Sequence, residues 1–493
     1  MGLQNALKQP KVYIIAGILL LALIPQFFGT VNHAEVSEIG NVLPAYSIIP
    51  FVGMLLAIAI LPLIASKWWE KNQFYVSIAW GLLFLIPFAI FFGAQTASFK
   101  LFEMLIADYL PFIVLLWGLF TVSGGILIRG SLSGTPRVNV ILLLIGTILS
   151  SIIGTTGASM LMIRPILRAN KQRKNRANVV IFFIFLVSNI GGCLTPIGDP
   201  PLFLGFLRGI PFFWTFALTP LFLLNTALLL ITFYIVDTHN YKKEQQLRIT
   251  QSVSTIKEPI QIEGAHNLLF IAMIVGAVIL SGVLASMPAL QNEAGEPLGI
   301  AMPYGLTLQY SSIAQMAIIV LAGLLSLRFT HKETHTQNGF SWSPIIEVAT
   351  LFTGIFITMI PALELLHARG AELGLSTPEQ FFWVTGALSS FLDNAPTYLV
   401  FMTTASSLPA DPATAIQLQG SASIDPMLLL AVSAGAVFMG AITYIGNAPN
   451  FMVRSIAEQD KVSMPSFFGY MTYSLRYLIP VFLVDTVMLM VMR

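Results

Sequence analysis

Charge is what this 493-residue chain has least of: Asp, Glu, Lys and Arg together make up 10% of it, where soluble globular chains carry about 25%. So few charges cannot clothe a water-facing surface of this size, and a soluble protein is excluded. Cysteine is almost missing. The single Cys193 excludes an internal disulfide framework and any cysteine-built zinc or iron–sulfur site. A net charge of +2, from 25 basic and 23 acidic residues, leaves no electrostatic footprint for nucleic acid. There is no phosphate-cradling Gly-rich loop, no G-x-S-x-G and no Cys-x-x-Cys, so neither ATP-driven transport nor membrane-embedded hydrolysis is supported, and an enzyme is not expected. His331 and His335 are four apart but lack the Glu of a zincin helix, and are expected as solvated loop side chains.

What the chain has is apolar length, with 56% hydrophobic residues and a mean hydropathy of +0.80. Stretches able to cross a hydrocarbon core of about 30 Å as helices recur from end to end. Uninterrupted spans are expected at Tyr13 to Phe28, Ile49 to Ile64, Phe74 to Phe92, Pro111 to Ile128, Thr215 to Val236, Asn267 to Leu284, Ser311 to Leu325, Pro344 to Leu366 and Tyr470 to Met490. Four further apolar regions, about 138–167, 179–206, 380–407 and 427–456, are interrupted by Gly, Pro, Thr and Asn clusters and cannot be plain rods. The first span could instead be read as a secretory signal, but no convincing small-residue cleavage site follows it.

Cytoplasmic loops hold the Lys and Arg of a membrane protein. With Lys8 and Lys11 inside, the clusters Lys67/Lys71, Arg129/Arg137, Arg168 to Arg176, Lys242 to Lys257, Arg328/Lys332 and Arg454/Lys461 share that side on one condition. Regions 138–167 and 380–407 must be re-entrant hairpins, and regions 179–206 and 427–456 must be broken helices that cross. Then all but Lys100, Arg208, Arg369 and Arg493 of the 25 basic residues lie on or near the cytoplasmic side. The expected fold class is an all-α polytopic membrane protein of eleven transmembrane helices plus two re-entrant hairpins, with the N-terminus cytoplasmic. Arg168 to Arg176 reads as a cytoplasmic retention signal, with generic affinity for anionic membrane lipid.

The two halves echo each other. TPIGDPPLF from Thr195 to Phe203 aligns with TYIGNAPNF from Thr443 to Phe451, and LLWGLF ending at Phe120 with LFTGIF ending at Phe356. Between these landmarks lie the polar turns GTTGAS, Gly154 to Ser159, and LDNAPT, Leu392 to Thr397. The order helix, hairpin, broken helix, helix recurs with opposite topology. It gives two inverted repeats, 47–236 and 267–493, flanked by an extra N-terminal helix at 1–46 and joined by a cytoplasmic linker at 237–266. Backbone broken at membrane depth costs several kcal/mol per unsatisfied group unless it lines a cavity, and secondary transporters build midplane ion sites where such half-helices meet.

Acids at depth default to functional hypotheses. Asp199 stands in the first broken helix and Asp393 at the second hairpin turn, and both are candidates to ligate sodium or exchange a proton; each can also cap the half-helix that follows it. Asn394, Thr155, Thr156, Ser159, Thr195, Asn189, Thr397, Thr443, Asn447 and Asn450 are the neutral oxygen ligands or donors near the same breaks. Asp485 and Glu364 are weaker candidates, with no mate legible for Asp485, and Glu347 suits a macrodipole role. No cofactor is expected beyond sodium ions and protons as transported or coupling ions.

At these residues the chain resembles the ion transporter superfamily. Gly154 to Ser159 with Ile163, Arg164 and Pro165, the run Gly191 to Asp199, and Asp393 to Pro396 are similar to the NhaD-type sodium:proton antiporters and the related citrate transporters. The resemblance implies a scaffold domain that dimerises, a transport domain that moves elevator-fashion, ion binding at the tips and breaks, and a bacterial inner-membrane location. Superfamily dicarboxylate carriers have Ser-Asn-Thr at both tips, which this chain lacks. Two acids without an Arg at the breaks repel a carboxylate unless sodium or protons neutralise them. Sodium:proton exchange is therefore expected first and sodium-coupled citrate or dicarboxylate symport second, with small ions or carboxylates, lipid and a second copy of the chain as partners.

Overall fold

The computed structural model describes residues 10–27, 30–31, 36, 38–130, 133–247, 261–292, 297–419 and 422–493; expectations resting on Lys8, Phe28 or Lys257 lie outside the described residues. The chain is an all-α polytopic membrane protein. Among the described residues ten helices are long and apolar enough to cross a membrane. Their outward faces carry side chains that water would reject, such as Phe91 at 80% and Val491 at 81% exposure, so these faces meet lipid.

In chain order the principal helices are α1 (Pro10–Leu23), α2 (Ile49–Ile64), α3 (Ser66–Phe92), α4 (Ala94–Met104), α5 (Leu110–Gly124), α6 (Pro136–Ile153), α7 (Thr155–Ala169), α8 (Ala177–Leu186), α9 (Pro200–Leu207), α10 (Thr219–Leu247), α11 (Asn267–Ala285), α12 (Tyr310–Phe329), α13 (Lys332–Gln337), α14 (Ser343–Arg369), α15 (Pro378–Ser389), α16 (Asn394–Ser406), α17 (Pro426–Met439), α18 (Ala448–Gln459) and α19 (Phe467–Met492). Among the described residues three short antiparallel strand pairs close loops, one of them Leu127–Arg129 with Gln261–Glu263.

The helices form two compact units. The first comprises Met1–Ile113, Val283–Ile313 and Ser343–Gly370. Here α14 packs on α2 and α3, and Gly354 permits the close approach, since a Cβ there would lie 2.8 Å from that of Ser77. The Lys100 ammonium is held at 2.8 Å by Glu364 and at 3.0 Å by Glu103. Lys100, one of the basic residues that the sequence leaves off the cytoplasmic side, is part of α4, and Glu364 ends in an ion pair. Pro111 does not start its span. A π turn at Leu105–Tyr109 carries the helix from α4 through to α5; it contains Ala107, whose carbonyl Pro111 cannot bond to and would crowd in a regular α-helix.

The second unit comprises Val114–Gly282, Ala314–Trp342 and Ala371–Arg493. In it α6 and α7 pack as a pair, as do α15 and α17, while α9 leans on α16 and α7 on α18. The segment expected as a linker from 237 begins as helix, since α10 runs on to Leu247. Asp237, fully buried on that extension, is paired at 2.8 Å with Arg173, which also holds Glu244 at 3.2 Å. His335 is likewise not a solvated loop side chain. It sits in α13 with its ring 4.8 Å from that of Phe340, and burial holds its pKa below the ordinary imidazole value.

Candidate functional site

Local sequence dictates each interruption. α8 stops at Leu186, a 3-10 turn covers Ile190–Leu194, and helix resumes at Pro200. Thr195 and Asp199 are extended, at φ −138° and −142°, and Pro200 suits the first helical position, where no N–H is needed. The second interruption repeats this, with Thr443 at φ −127°, Asn447 at φ −152° and helix resuming at Ala448. Glycine is required at both. A Cβ on Gly198 would lie 2.1 Å from the Gly192 carbonyl oxygen, and one on Gly446 would lie 2.5 Å from that of Gly440. The α6–α7 turn is a single residue, Gly154 at φ +79°, a conformation that L side chains rarely adopt.

These breaks converge on one carboxylate. Asp199 is completely buried. Its Oδ1 accepts from Thr155 Oγ1 at 2.9 Å and from Asn447 Nδ2 at 3.2 Å, and its Oδ2 accepts from Asn394 Nδ2 at 2.6 Å. Thr155 N also donates to Gly198 O at 2.8 Å. Both hairpin turns and both helix breaks thus contribute an atom to the same group. Among the described residues no Lys, Arg or His lies within ion-pairing distance of it. The Oδ1 of Asn394 is buried and has no hydrogen-bond partner.

The two expected caps divide unequally. Asp199 occupies the cap position of α9 but makes no side-chain capping bond, because its oxygens are taken by the three donors. Asp393 does cap α16, accepting from Ala395 N at 3.1 Å, and lies half-buried within electrostatic reach of Asp199. Behind them Asn189 Nδ2 donates to Asn450 Oδ1 at 2.7 Å, and Asn450 Nδ2 donates to the carbonyls of Gly440 and Thr443 at 2.8 and 2.9 Å. Ser159 and Ser188 share a bond of 2.9 Å, and Thr397 Oγ1 donates to Asp393 O at 2.9 Å. Half-buried Thr156 takes no part in the bonds to Asp199.

Two serine pairs escaped the sequence reading. Thr195 Oγ1 donates to Ser151 O, and Thr443 Oγ1 donates to Ser390 O. Ser150 Oγ donates to Val187 O at 2.6 Å, and Ser389 Oγ donates to Ala436 O at 2.6 Å. The signal was present, since each Ser-Ser pair ends three residues before its turn's capping residue, Gly154 or Asp393. Elsewhere Asp485 finds a mate in Asn225.

Chemically the constellation is a buried carboxyl group surrounded by neutral donors and an idle carbonyl oxygen. It can take up a proton, or a hard cation if the amides turn their oxygens inward. Among the described residues no three His, Cys, Asp or Glu side chains cluster as a metal-binding group. A family model described as "Putative citrate transport" matches residues 40–490. Comparison with curated proteins gives no match.

Proposed function

The chain belongs to this citrate-transport family, and we propose that it is a secondary active transporter that exchanges sodium for protons by elevator-type alternating access. The observation that carries this reading is the buried, uncompensated Asp199 carboxylate, bonded to Thr155, Asn394 and Asn447. A carboxylate in a low-dielectric setting is favoured by a cation beside it and disfavoured without one. Sodium and a proton therefore compete for one group, the minimum requirement of an exchanger. Sodium is bound by Asp199 and by amide oxygens such as Asn394 Oδ1; Asp393 adds negative charge at the hairpin tip. Thr156, Ser159, Thr195, Asn189, Thr397, Thr443 and Asn450 shape the lining.

The same proposal includes eleven crossings with two re-entrant hairpins, repeats at 47–236 and 267–493, and a homodimer in a bacterial inner membrane with a cytoplasmic N-terminus. The paired bonds Thr195 to Ser151 and Thr443 to Ser390, and Ser150 to Val187 and Ser389 to Ala436, support an inverted repeat. We assign the transport domain to the unit that contains both hairpins, and the scaffold to the other.

Sodium-coupled citrate or dicarboxylate symport is the second reading, favoured by the family description. Citrate would then bind only after sodium neutralises the acids. Proteoliposomes decide between the two. Sodium-driven proton flux without uptake of labelled citrate supports exchange, and citrate uptake without exchange overturns it.

A further inference from the structure

Asp485 on α19 is, with Asp199 and Asp237, one of the fully buried acids described in the second unit, and unlike Asp237 it has no arginine beside it. Both its oxygens accept from one atom, Asn225 Nδ2 on α10, at 2.7 and 2.9 Å, and that Nδ2 also donates to Leu221 O at 2.8 Å. Among the described residues no Lys, Arg or His pairs with it. The Asn225 Oδ1 is buried and has no hydrogen-bond partner. A carboxylate in the hydrocarbon region without a counter-charge is costly, whereas the neutral acid is not. An asparagine suits both states: its N–H donates to the carboxylate, and its idle Oδ1 accepts the proton of the acid.

The geometry points to Asp485 as a second proton-binding carboxylate, separate from Asp199, with Asn225 its partner in both charge states. The oxygens at hand, those of Asp485, Asn225 Oδ1 and Leu221 O, are fewer than the roughly six that a hard cation takes. The elements packed most closely on α19 are α10, α15 and the turn Gly440–Ile442, with Phe182 and Phe185 of α8 and Tyr444 against the tyrosines of its first turns. Glu379 on α15 and Asp237 on α10 stand more than a helical turn away along their helices from Trp383 and Asn225, which meet α19. Arg476 and the tyrosines at 470, 473 and 477 lie on earlier turns of α19 itself. Cys193, in the first interruption, is within electrostatic reach of both Asp199 and Asp485. Helix α10 packs against that interruption, and Thr215 Oγ1 joins Leu194 O at 2.8 Å. Helix α10, which carries Asn225, thus connects the surroundings of Asp485 with the break that carries Asp199.

The inference rests on the cation-site reading of Asp199 for its role in transport, but not for its test. Infrared difference spectra of the purified full-length protein, recorded between acidic and alkaline pH, report protonated-carboxyl C=O stretches. Asp485→Asn should remove one component, and that component should persist in Asp199→Asn. A wild-type difference spectrum unchanged by Asp485→Asn would overturn the inference and leave a plain interhelical hydrogen bond. If Asp485→Asn does not fold, Asn225→Ser should shift the component that persists in Asp199→Asn; no shift overturns the inference equally. Loss of the Asp485 component in a protein that exchanges no sodium would leave this site standing while the proposed function fails.

Discussion

Asn394 Nδ2 stands 2.6 Å from Asp199 Oδ2, although 195 residues separate them in the chain. This contact fastens the start of α16 to the break before α9, and it is about twice as strong when the acid is ionised as when it is neutral. In the proposed exchange a cation at Asp199 would compete for the same oxygen, and this atom pair would link ion binding to the position of α16.

Removing a neutral donor from Asp199 should weaken sodium binding without abolishing it. Thr155→Val keeps the shape and loses a hydrogen bond of 2.9 Å to the carboxylate. Bonds to charged groups are worth about 1.5–3 kcal/mol, so the half-saturating sodium concentration of transport should rise about tenfold or more. Unchanged sodium dependence in proteoliposomes would remove Thr155 from the site.

Asp199 and Asn447 occupy equivalent places in the two TxIG motifs, and their side chains touch at 3.2 Å. Asp199→Asn alone should stop sodium-dependent transport. Adding Asn447→Asp returns a carboxylate to the same pocket and should restore measurable transport, well above either single variant. Failure of the pair to exceed Asp199→Asn would count against interchangeable halves.

Gly198→Ala and Gly446→Ala should each destabilise the protein by about 1–3 kcal/mol, because a Cβ would overpack the backbone it faces. Gly276, with no atom within 4 Å of its would-be Cβ, is the control. Thermal unfolding in detergent should place Gly276→Ala close to wild type and the other two clearly below it.

Arg173→Ala leaves Asp237 and Glu244 buried without their cation. Breaking a buried pair from one side costs about 3–5 kcal/mol. Unfolding temperature should fall sharply and recover in part when Asp237→Asn is added. Equal unfolding temperatures for Arg173→Ala and wild type would mean that the network is solvated.

Membrane class and family were legible from scarce charge, long apolar runs and the TPIGDPP, GTTGAS and DNAP stretches. Asp199, Thr155, Asn394 and Asn447 were named from sequence because polar side chains at depth are conspicuous among apolar ones, and the structure joins them by hydrogen bonds. The pairing of Lys100 with Glu364 was not legible because the two are distant in sequence. Asn225 was invisible as the mate of Asp485 for the same reason. Ser151 and Ser390 were overlooked because they act through backbone carbonyls, which no side-chain pattern displays.

In the proposed exchange one buried carboxylate, Asp199, is contested by sodium and a proton. Proton release on adding sodium to purified protein in weakly buffered solution tests it most directly. Wild type should release protons upon sodium binding, with apparent sodium affinity falling as pH is lowered, and Asp199→Asn should release none. Equal release by the two proteins would contradict the account.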